Sequence, residues 1–314
     1  MSLPDAVMKP PMHRLQQMLE RSMAQDWPCG VLYVVATPIG NLADLSLRAW
    51  QALLRCDVIA AEDTRATRTL VQAWGVETPL LAAHRHNEAR AAQAIVARLQ
   101  AGERVALVSD AGSPAVSDPG ARIVRAVHAA GLRVVPIPGP SAALAALMAS
   151  GATSDENPAF VFAGFAPPRS AARQRWLQHW CALPAPAVIY EVPHRLPACL
   201  ADIVAVAGPA RELTIARELT KRFEEIVTLP AGEAAGWLAA HGQRQRGEFV
   251  LIVHAAVARD TPDDPAVDAA HRLAVILLEH LSVRDVARVL ARACDLGRDD
   301  AYRLALAASQ AGSE

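Results

Sequence analysis

Residues 104–120 read RVALVSDAGSPAVSDPG: one charge, four apolar residues, then an abrupt polar loop. The apolar run is short enough for a strand, and Ser109-Asp110-Ala111-Gly112-Ser113-Pro114 marks where it must stop. The same grammar appears in three other places. VLYVVA (31–36) runs into Thr37-Pro38-Ile39-Gly40-Asn41, and DVIAA (57–61) into Glu62-Asp63-Thr64-Arg65. LRVVPI (132–137) runs into Pro138-Gly139-Pro140-Ser141. Between these runs lie helical stripes, Leu47, Trp50, Leu53 and Leu54 on one helix and Ala92, Ile95, Val96 and Leu99 on another. Ser117, Asp118 and Pro119 offer a cap and a first-turn proline for a further helix through Ile123, Val124 and Val127. Strands separated by such helices form βαβ units and a mostly parallel sheet. In open sheets of this kind ligands sit outside the carboxyl ends of the strands. Gly, Pro, Asp and Ser at four such ends predict a small-molecule site.

Working outward, residues 1–29 read as an extension, with Leu15, Met18, Leu19 and Met23 suiting a short amphipathic helix that Pro28 closes. The first α/β domain is expected over 30–151, and the polar stretch ATSDENP (152–158) opens a second over 152–257. Its strands are expected at 160–163, 187–191, 213–217, 225–229 and 249–254. Two of these are too close for an intervening helix, so part of this second sheet is expected to be antiparallel. Helical stripes at Trp176, Leu177 and Trp180, and at Leu200, Ile203 and Val204, lie between. ARDTPDDP reads as another linker, and 258–314 as a small helical tail. In it Ser282 starts one helix, Gly297 turns the chain and Arg298 opens another, which is compatible with a helix-turn-helix or with a packing appendage.

Composition narrows the function. The chain has 314 residues, a formal net charge of −1 and a pI near 6.8, so no global field draws it to nucleic acid or an anionic membrane. Any RNA contact must come from local basic patches. Its only lysines are Lys9 and Lys221. The five cysteines are scattered without a CxxC pair, the pattern of reduced thiols in a cytoplasmic protein. No apolar run approaches the ~18 residues of a membrane span, and MSLPDAVMKPPM has no apolar signal core. Neither GxGxxG after a strand nor GxxxxGK[ST] occurs, and the histidines do not fall at metal-ligand spacings. What remains suits a ligand with a nucleoside and a small zwitterion. Backbone N–H groups near Gly112 and Ser113 can hold a carboxylate, and Asp110 can accept from an amine or a ribose hydroxyl.

The order TPIGNLADLSLRA, AAEDTR, His84-Arg85-His86-Asn87-Glu88, VSDAGSPAVSDPG, VVPIPGPSA, YEVPHR, ARELTK and GEFVLIV resembles the small-subunit ribosomal RNA methyltransferase I family, itself similar to the tetrapyrrole (precorrin) methylases. The resemblance covers roughly 30–254 and extends to the tail, since that family often ends in small helices. It implies a two-domain tetrapyrrole-methylase-like α/β fold with a mixed second sheet and a small all-α C-terminal domain. It implies S-adenosylmethionine in the cleft between the domains, a homodimer, and transfer of a methyl to the 2′-hydroxyl of a cytidine in the decoding region of 16S rRNA.

Carried over residue by residue, the cofactor contacts implied are Pro38, Asp110, Ala111, Gly112, Ser113, Val116 and Ser141, with Tyr190 and Ala216 from the second domain. For the chemistry, Lys221 in ARELTK is a candidate cation near the ribose. Glu62 and Asp63 in EDTR are candidate proton acceptors, and His86 a group at the acceptor. Each has a plainer reading: Glu218 and Lys221 as a local ion pair, Asp63 and Arg65 as a loop fixture, Asn87 as a helix N-cap. Candidate RNA contacts are Arg65, Asn87, His194, Arg195 and the cluster Arg169, Arg173 and Arg175. Relatives are often more lysine-rich after Gly164-Phe165, where this chain reads Ala166-Pro167-Pro168-Arg169-Ser170. Arg284, Arg288 and Arg292 would line one side of a tail helix, facing rRNA or water. A small-molecule methylase and a non-catalytic RNA-binding assembly factor are the alternative readings.

Overall fold

The structure, a computed structural model, describes residues 12–256, 265–294 and 296–311. A first compact unit reaches to Ala255 and holds both sheets; a second, from Ala256, holds the last helices.

The first sheet contains β1 (Val31–Val35), β2 (Val58–Ala61), β3 (Leu80–Ala82), β4 (Val105–Val108) and β5 (Arg133–Ile137) in the order β3-β2-β4-β1-β5. Every pairing is parallel. Side chains alternate faces along a strand, so β1 sends Val31, Tyr33 and Val35 to one core and Leu32 to another. The first core is closed by α2 (Leu47–Arg55), which supplies Ala49, Ala52 and Leu53. The second is closed by α4 (Glu88–Gln100) and α5 (Ala121–Ala129), which supply Ile95, Leu99, Ile123 and Val127. Helices α1 (Met12–Met23) and α3 (Thr64–Ala73) complete this half. With helices on both faces, β2 and β4 are buried throughout, as parallel strands should be.

The start of α5 differs from expectation. Ser117-Asp118-Pro119 do not cap it; Gly120 occupies the cap position, with φ +130. A Cβ there would stand 3.1 Å from Leu107 Cδ2, so the turn needs glycine. The orphan N–H groups of Gly120 and Arg122 donate to Glu88 Oε1 at 2.9 and 3.1 Å, placing a buried carboxylate at the positive end of the helix. Asn87 stands at the N-cap position of α4 without capping it. Its Oδ1 accepts from the His84 N–H at 2.8 Å and its Nδ2 donates to the Ala82 carbonyl at 3.0 Å.

The second sheet orders β6 (Val161–Phe165), β7 (Ala187–Glu191), β8 (Glu212–Arg217), β9 (Glu225–Pro230) and β10 (Phe249–Val253) as β6-β7-β10-β8-β9. Only β6 and β7 run parallel; the other pairs are antiparallel. Leu177 of α7 (Ser170–Cys181), Leu200 and Ile203 of α8 (Leu196–Ala207), and Leu238 of α9 (Ala234–Ala240) cover one face. Helix α6 (Ala142–Ser150) leaves the first sheet and packs on the other face. Its Ala143 and Ala146 are small enough to rest on Val188, Ala216 and Ile252, which couples the two sheets.

Arg173 is a correction to the expected basic cluster. It is 2% exposed, and its guanidinium is held by Asp202 at 2.6 Å and by the Pro167 and Pro168 carbonyls. It ties α7 to α8 and is out of reach of a phosphate.

In the second unit α10 (Pro265–Leu278), α11 (Val283–Ala293) and α12 (Arg298–Ala311) enclose Val286, Leu290, Ala301 and Ala305. Ser282 caps α11, its Oγ accepting from the Asp285 N–H. Arg284, Arg288 and Arg292 are all exposed. The second expected linker lies almost wholly outside the described residues.

Candidate active site

The loop over 109–114 is the hub to which the other strand-end loops are tied. Thr37 N–H donates to the Gly112 carbonyl at 2.9 Å, and Gly112 N–H returns a bond to Thr37 at 3.0 Å. Thr37 Oγ1 adds a bond to the Ser109 carbonyl at 3.1 Å. Asp110 Oδ1 accepts from the Asp63 N–H at 2.9 Å, and Ser113 Oγ donates to the Pro140 carbonyl at 3.2 Å. The loops after β1, β2 and β5 are thus each pinned to the loop after β4. Gly112 carries φ +79, and Ala115 and Ser117 both hold φ +66, a left-handed region costly for residues with a Cβ.

Opposite this edge stands one edge of the second sheet. Phe249 pairs with both Glu191 and Arg217, so the ends of β7 and β8 and the start of β10 lie together. The space between is a cavity of about 360 Å³. The first sheet contributes Ile39, Glu62, residues 110–113, Val116, Asp118 and Ser141; the second contributes Phe165, Tyr190, Leu219, Glu248 and Val250.

The wall is polarised. Glu62, Asp110, Asp118, Glu191 and Glu248 line the cavity, the last two paired with Arg195 and Lys221, and no Lys, Arg or His lines it among the described residues. Burial pushes the Glu62 carboxyl above its ordinary range, and Asp110 and Asp118 push it further against the pull of Arg85. Asp118 is raised by burial and by Asp110, with a hydrogen bond to Ser109 opposing. No group of three or more acidic, His or Cys side chains among the described residues could hold a metal ion. Negative potential in a partly enclosed site of this kind favours an organic cation. Aromatic surface stands beside the acids: Phe165 and, behind the wall, Phe162 meet Tyr190 edge-on at 5.4 and 4.9 Å, and Tyr190 Oη accepts from the Ala143 N–H at 3.2 Å.

Of the residues singled out in the sequence, Glu62, Asp110, Ala111, Gly112, Ser113, Val116, Ser141 and Tyr190 line this cavity. Pro38 and Ala216 do not; Ala216 is fully buried beneath α6. Asp63 caps α3, its Oδ1 accepting from the Arg65 N–H at 2.8 Å, and its carboxylate pairs with the exposed Arg65 at 3.3 Å. Those bonds hold its pKa below the ordinary value. His86 is exposed beside His84, outside the cavity. Lys221 is at the rim, its ammonium donating to Glu218 Oε1 at 2.9 Å and Glu248 Oε2 at 2.7 Å. Burial pulls its pKa down, but the two carboxylate bonds outweigh it and the net shift is upward. Lys221 is therefore a cation here and no base. Arg169 and His194 are exposed, whereas Arg195 is half-buried and bound to Glu191 at 2.7 Å. Asn87, with both amide atoms committed to backbone, has little left for RNA.

Sequence reading missed Ile39, Asp118, Ala142, Phe165, Glu191, Val192, Leu219, Glu248, Phe249 and Val250 as wall residues. Asp118 was absorbed into a helix cap that does not form. Glu248 precedes an antiparallel strand, whose amino end falls at the edge where parallel strands put their carboxyl ends.

The tetrapyrrole (corrin/porphyrin) methylase family matches this chain over residues 31–235. Ribosomal RNA small subunit methyltransferase I of Escherichia coli O157:H7 is 43% identical over 288 residues, 92% of this chain and 99% of that one. The protein of that name from Pseudomonas aeruginosa is 44% identical over 277 residues, 88% of this chain and 97% of its own. This chain belongs to the ribosomal RNA small subunit methyltransferase I family. Among solved structures, the methyltransferase CobJ matches with a TM-score of 0.54 at 20% identity, over 74% of this chain and 97% of that one. Uroporphyrin-III C-methyl transferase from Thermus thermophilus, complexed with S-adenosyl homocysteine, matches with a TM-score of 0.50 at 18% identity, over 71% and 96%. At these identities the likeness shows the fold alone: the tetrapyrrole-methylase α/β fold with one parallel and one mixed sheet.

The family's methyl donor is S-adenosylmethionine, and the cavity fits it on its own terms. A volume of about 360 Å³ lies in the range of small-molecule sites. The Glu62, Asp110 and Asp118 carboxylates match a molecule bearing a sulfonium and an ammonium, and Ile39, Val116, Phe165 and Val250 offer apolar surface to a purine.

Proposed function

We propose that this protein methylates the ribose 2′-hydroxyl of a cytidine in the decoding region of 16S rRNA, using S-adenosylmethionine held in the acid-lined cleft. The observation that carries this reading is the pairing, at one cleft, of an acid-lined wall with a clamped lysine cation at its rim. The names of relatives covering nine-tenths of the chain support ribosomal RNA as the acceptor.

S-adenosylmethionine, when bound, supplies a methyl activated by its sulfonium and is left as S-adenosylhomocysteine. Everything else falls to the chain. Asp110, Gly112, Ser113, Ser141 and Tyr190 are proposed to hold the donor, fixed in advance by the hydrogen bonds between the loops. Such preorganisation lets the nucleophile be aligned without reordering the site. Glu62 takes the hydroxyl proton, because its raised pKa makes it a better base than Asp63, whose carboxylate is spent on Arg65 and a helix cap. The Lys221 ammonium faces the charge that develops on oxygen. Exposed Arg65, Arg169, Arg175 and His194 are assigned to phosphates, where each contact adds to the salt dependence of binding. Assembly as a homodimer in the cytoplasm completes the reading.

The test is methyl transfer from labelled S-adenosylmethionine to purified small subunits lacking the modification, mapped by resistance to alkaline cleavage. A single new resistant cytidine in the decoding region is expected. Transfer to a tetrapyrrole with none to subunits would sink the proposal.

A further inference from the structure

Lys221 spans loops from both sheets. It follows β8 in ELTK, yet its methylenes lie against Gly40, in the loop after β1. A Cβ on Gly40 would stand 2.5 Å from Lys221 Cγ and 2.8 Å from Cε, so only glycine leaves room for this stem. The ammonium end is fixed as firmly. Glu218 Oε1 accepts from Lys221 Nζ and, at 3.0 Å, from the Glu248 N–H; the Glu218 N–H donates to the Glu248 carbonyl at 3.0 Å. Gly247 lies against Glu218, where a Cβ would come within 2.5 Å of the side chain. Glu218 and Thr220 hold φ of +50 and +65, conformations that persist only where the surroundings impose them. The chain neighbours Ile39, Leu219 and Glu248 line the cleft, so the ammonium is delivered to its rim.

We propose that Glu218, Glu248 and the bare surface of Gly40 form a seat that holds the Lys221 ammonium at the cleft mouth, facing the acceptor oxygen as its proton leaves. This rests on the reading of the cleft as one that methylates a hydroxyl. Glu218 and Glu248 are positioning residues: they act through Lys221, by keeping it protonated and aimed. As the hydroxyl proton passes to the Glu62 carboxylate, the charge left on oxygen meets a cation already in place, and no side chain has to reorganise. A solvent-facing lysine on a free tether would have to be ordered during the reaction. Here the order is built into the backbone.

The composition of the chain makes the seat directly observable. Lys9 and Lys221 are its only lysines, so lysine labelled at Cε gives two resonances, and K9R assigns them. The Lys221 resonance is expected to titrate at higher pH than that of Lys9, and E248Q is expected to bring it down. In the same E248Q protein kcat is expected to fall about tenfold, the loss of one well-placed charge. The alkaline limb of its pH–rate profile should move to lower pH, and E248D should restore much of the rate. G40A, which forces the lysine stem aside, should lower kcat in the same way. A latch with a purely structural role would lower thermal stability in these variants and leave kcat and the alkaline limb alone, which overturns the proposal; so does a Lys221 that titrates with Lys9. Wild-type protein that methylates no ribose while Lys221 titrates as described overturns the underlying reading instead.

Discussion

Glu62 and Asp63 are adjacent carboxylates with opposite surroundings. Glu62 faces the cleft beside Asp110 and Asp118, and its proton is held more tightly than usual. Asp63 faces the start of α3 and Arg65, and its proton is held less tightly. Since a base must be deprotonated to act, activity should fall as pH drops through the raised Glu62 value. Asp110→Asn removes one repelling charge, so the acid limb of the pH–rate profile should move to lower pH. Glu62→Gln should abolish that limb and lower kcat by about 10²–10⁴, the usual contribution of a positioned base. Asp63→Asn should leave the limb in place. The sequence shows both acids in EDTR but not which of them turns inward, because that depends on the bond from the Asp63 N–H to Asp110, a residue 47 positions away.

At the scale of elements, two features set what each strand end presents. The bulge in β6, between Phe162 and Gly164, turns Phe165 into the cleft with half of its surface exposed. Gly164 holds φ +75, and a Cβ on it would stand 3.0 Å from Ser117 Oγ, so Gly164→Ala should displace Phe165. Phe165→Ala strips apolar surface from the wall that faces the purine, so it is expected to weaken S-adenosylhomocysteine by about tenfold in calorimetry. The second feature is the buried Arg173–Asp202 pair between α7 and α8. Burial alone would raise the Asp202 pKa, but its bonds to Gln174, Ser170 and Arg173 outweigh it. Asp202→Ala leaves a buried guanidinium without its partner and should cost about 3–5 kcal/mol in urea unfolding. Nothing in the run RSAARQR distinguishes Arg173 from Arg169 and Arg175, since periodicity reports a buried face and charge argues against one. Burial of Arg173 follows from an acid on α8, in a different part of the sequence.

Across the whole molecule, most strands were legible because each apolar run ends in a polar loop, whereas helices α3, α6 and α9 were not read from the sequence. The parallel first sheet and the mixed second one both follow from spacing alone. What spacing could not reveal was which residues meet across the cleft, because β10 enters it from its amino end and α6 crosses from one sheet to the other. The far side of the second sheet has its own pH sensitivity. His254 shares a hydrogen-bond chain with Thr214 and Thr228, at 2.8 and 2.7 Å. Burial lowers its pKa, with Glu212 opposing. Folding then favours the neutral ring, so the unfolded chain takes up a proton first as pH falls. Stability from this group is complete above its ordinary value of 6.5 and is lost below it. Wild type should lose more melting temperature than His254→Gln between about pH 7.5 and about pH 5.5, the window in which a lowered histidine differs from a free one. An equal loss in both proteins would remove His254 from the account.

The central claim is that the acid-lined cleft is the methyl-donor site, and titration calorimetry with two ligands tests it most directly. S-adenosylmethionine carries the sulfonium charge and S-adenosylhomocysteine lacks it. If Glu62, Asp110 and Asp118 supply the field, Asp118→Asn should weaken the charged ligand several-fold more than the neutral-sulfur one, with the fold intact by circular dichroism. Binding of both ligands with unchanged affinity would place the donor elsewhere and contradict the account.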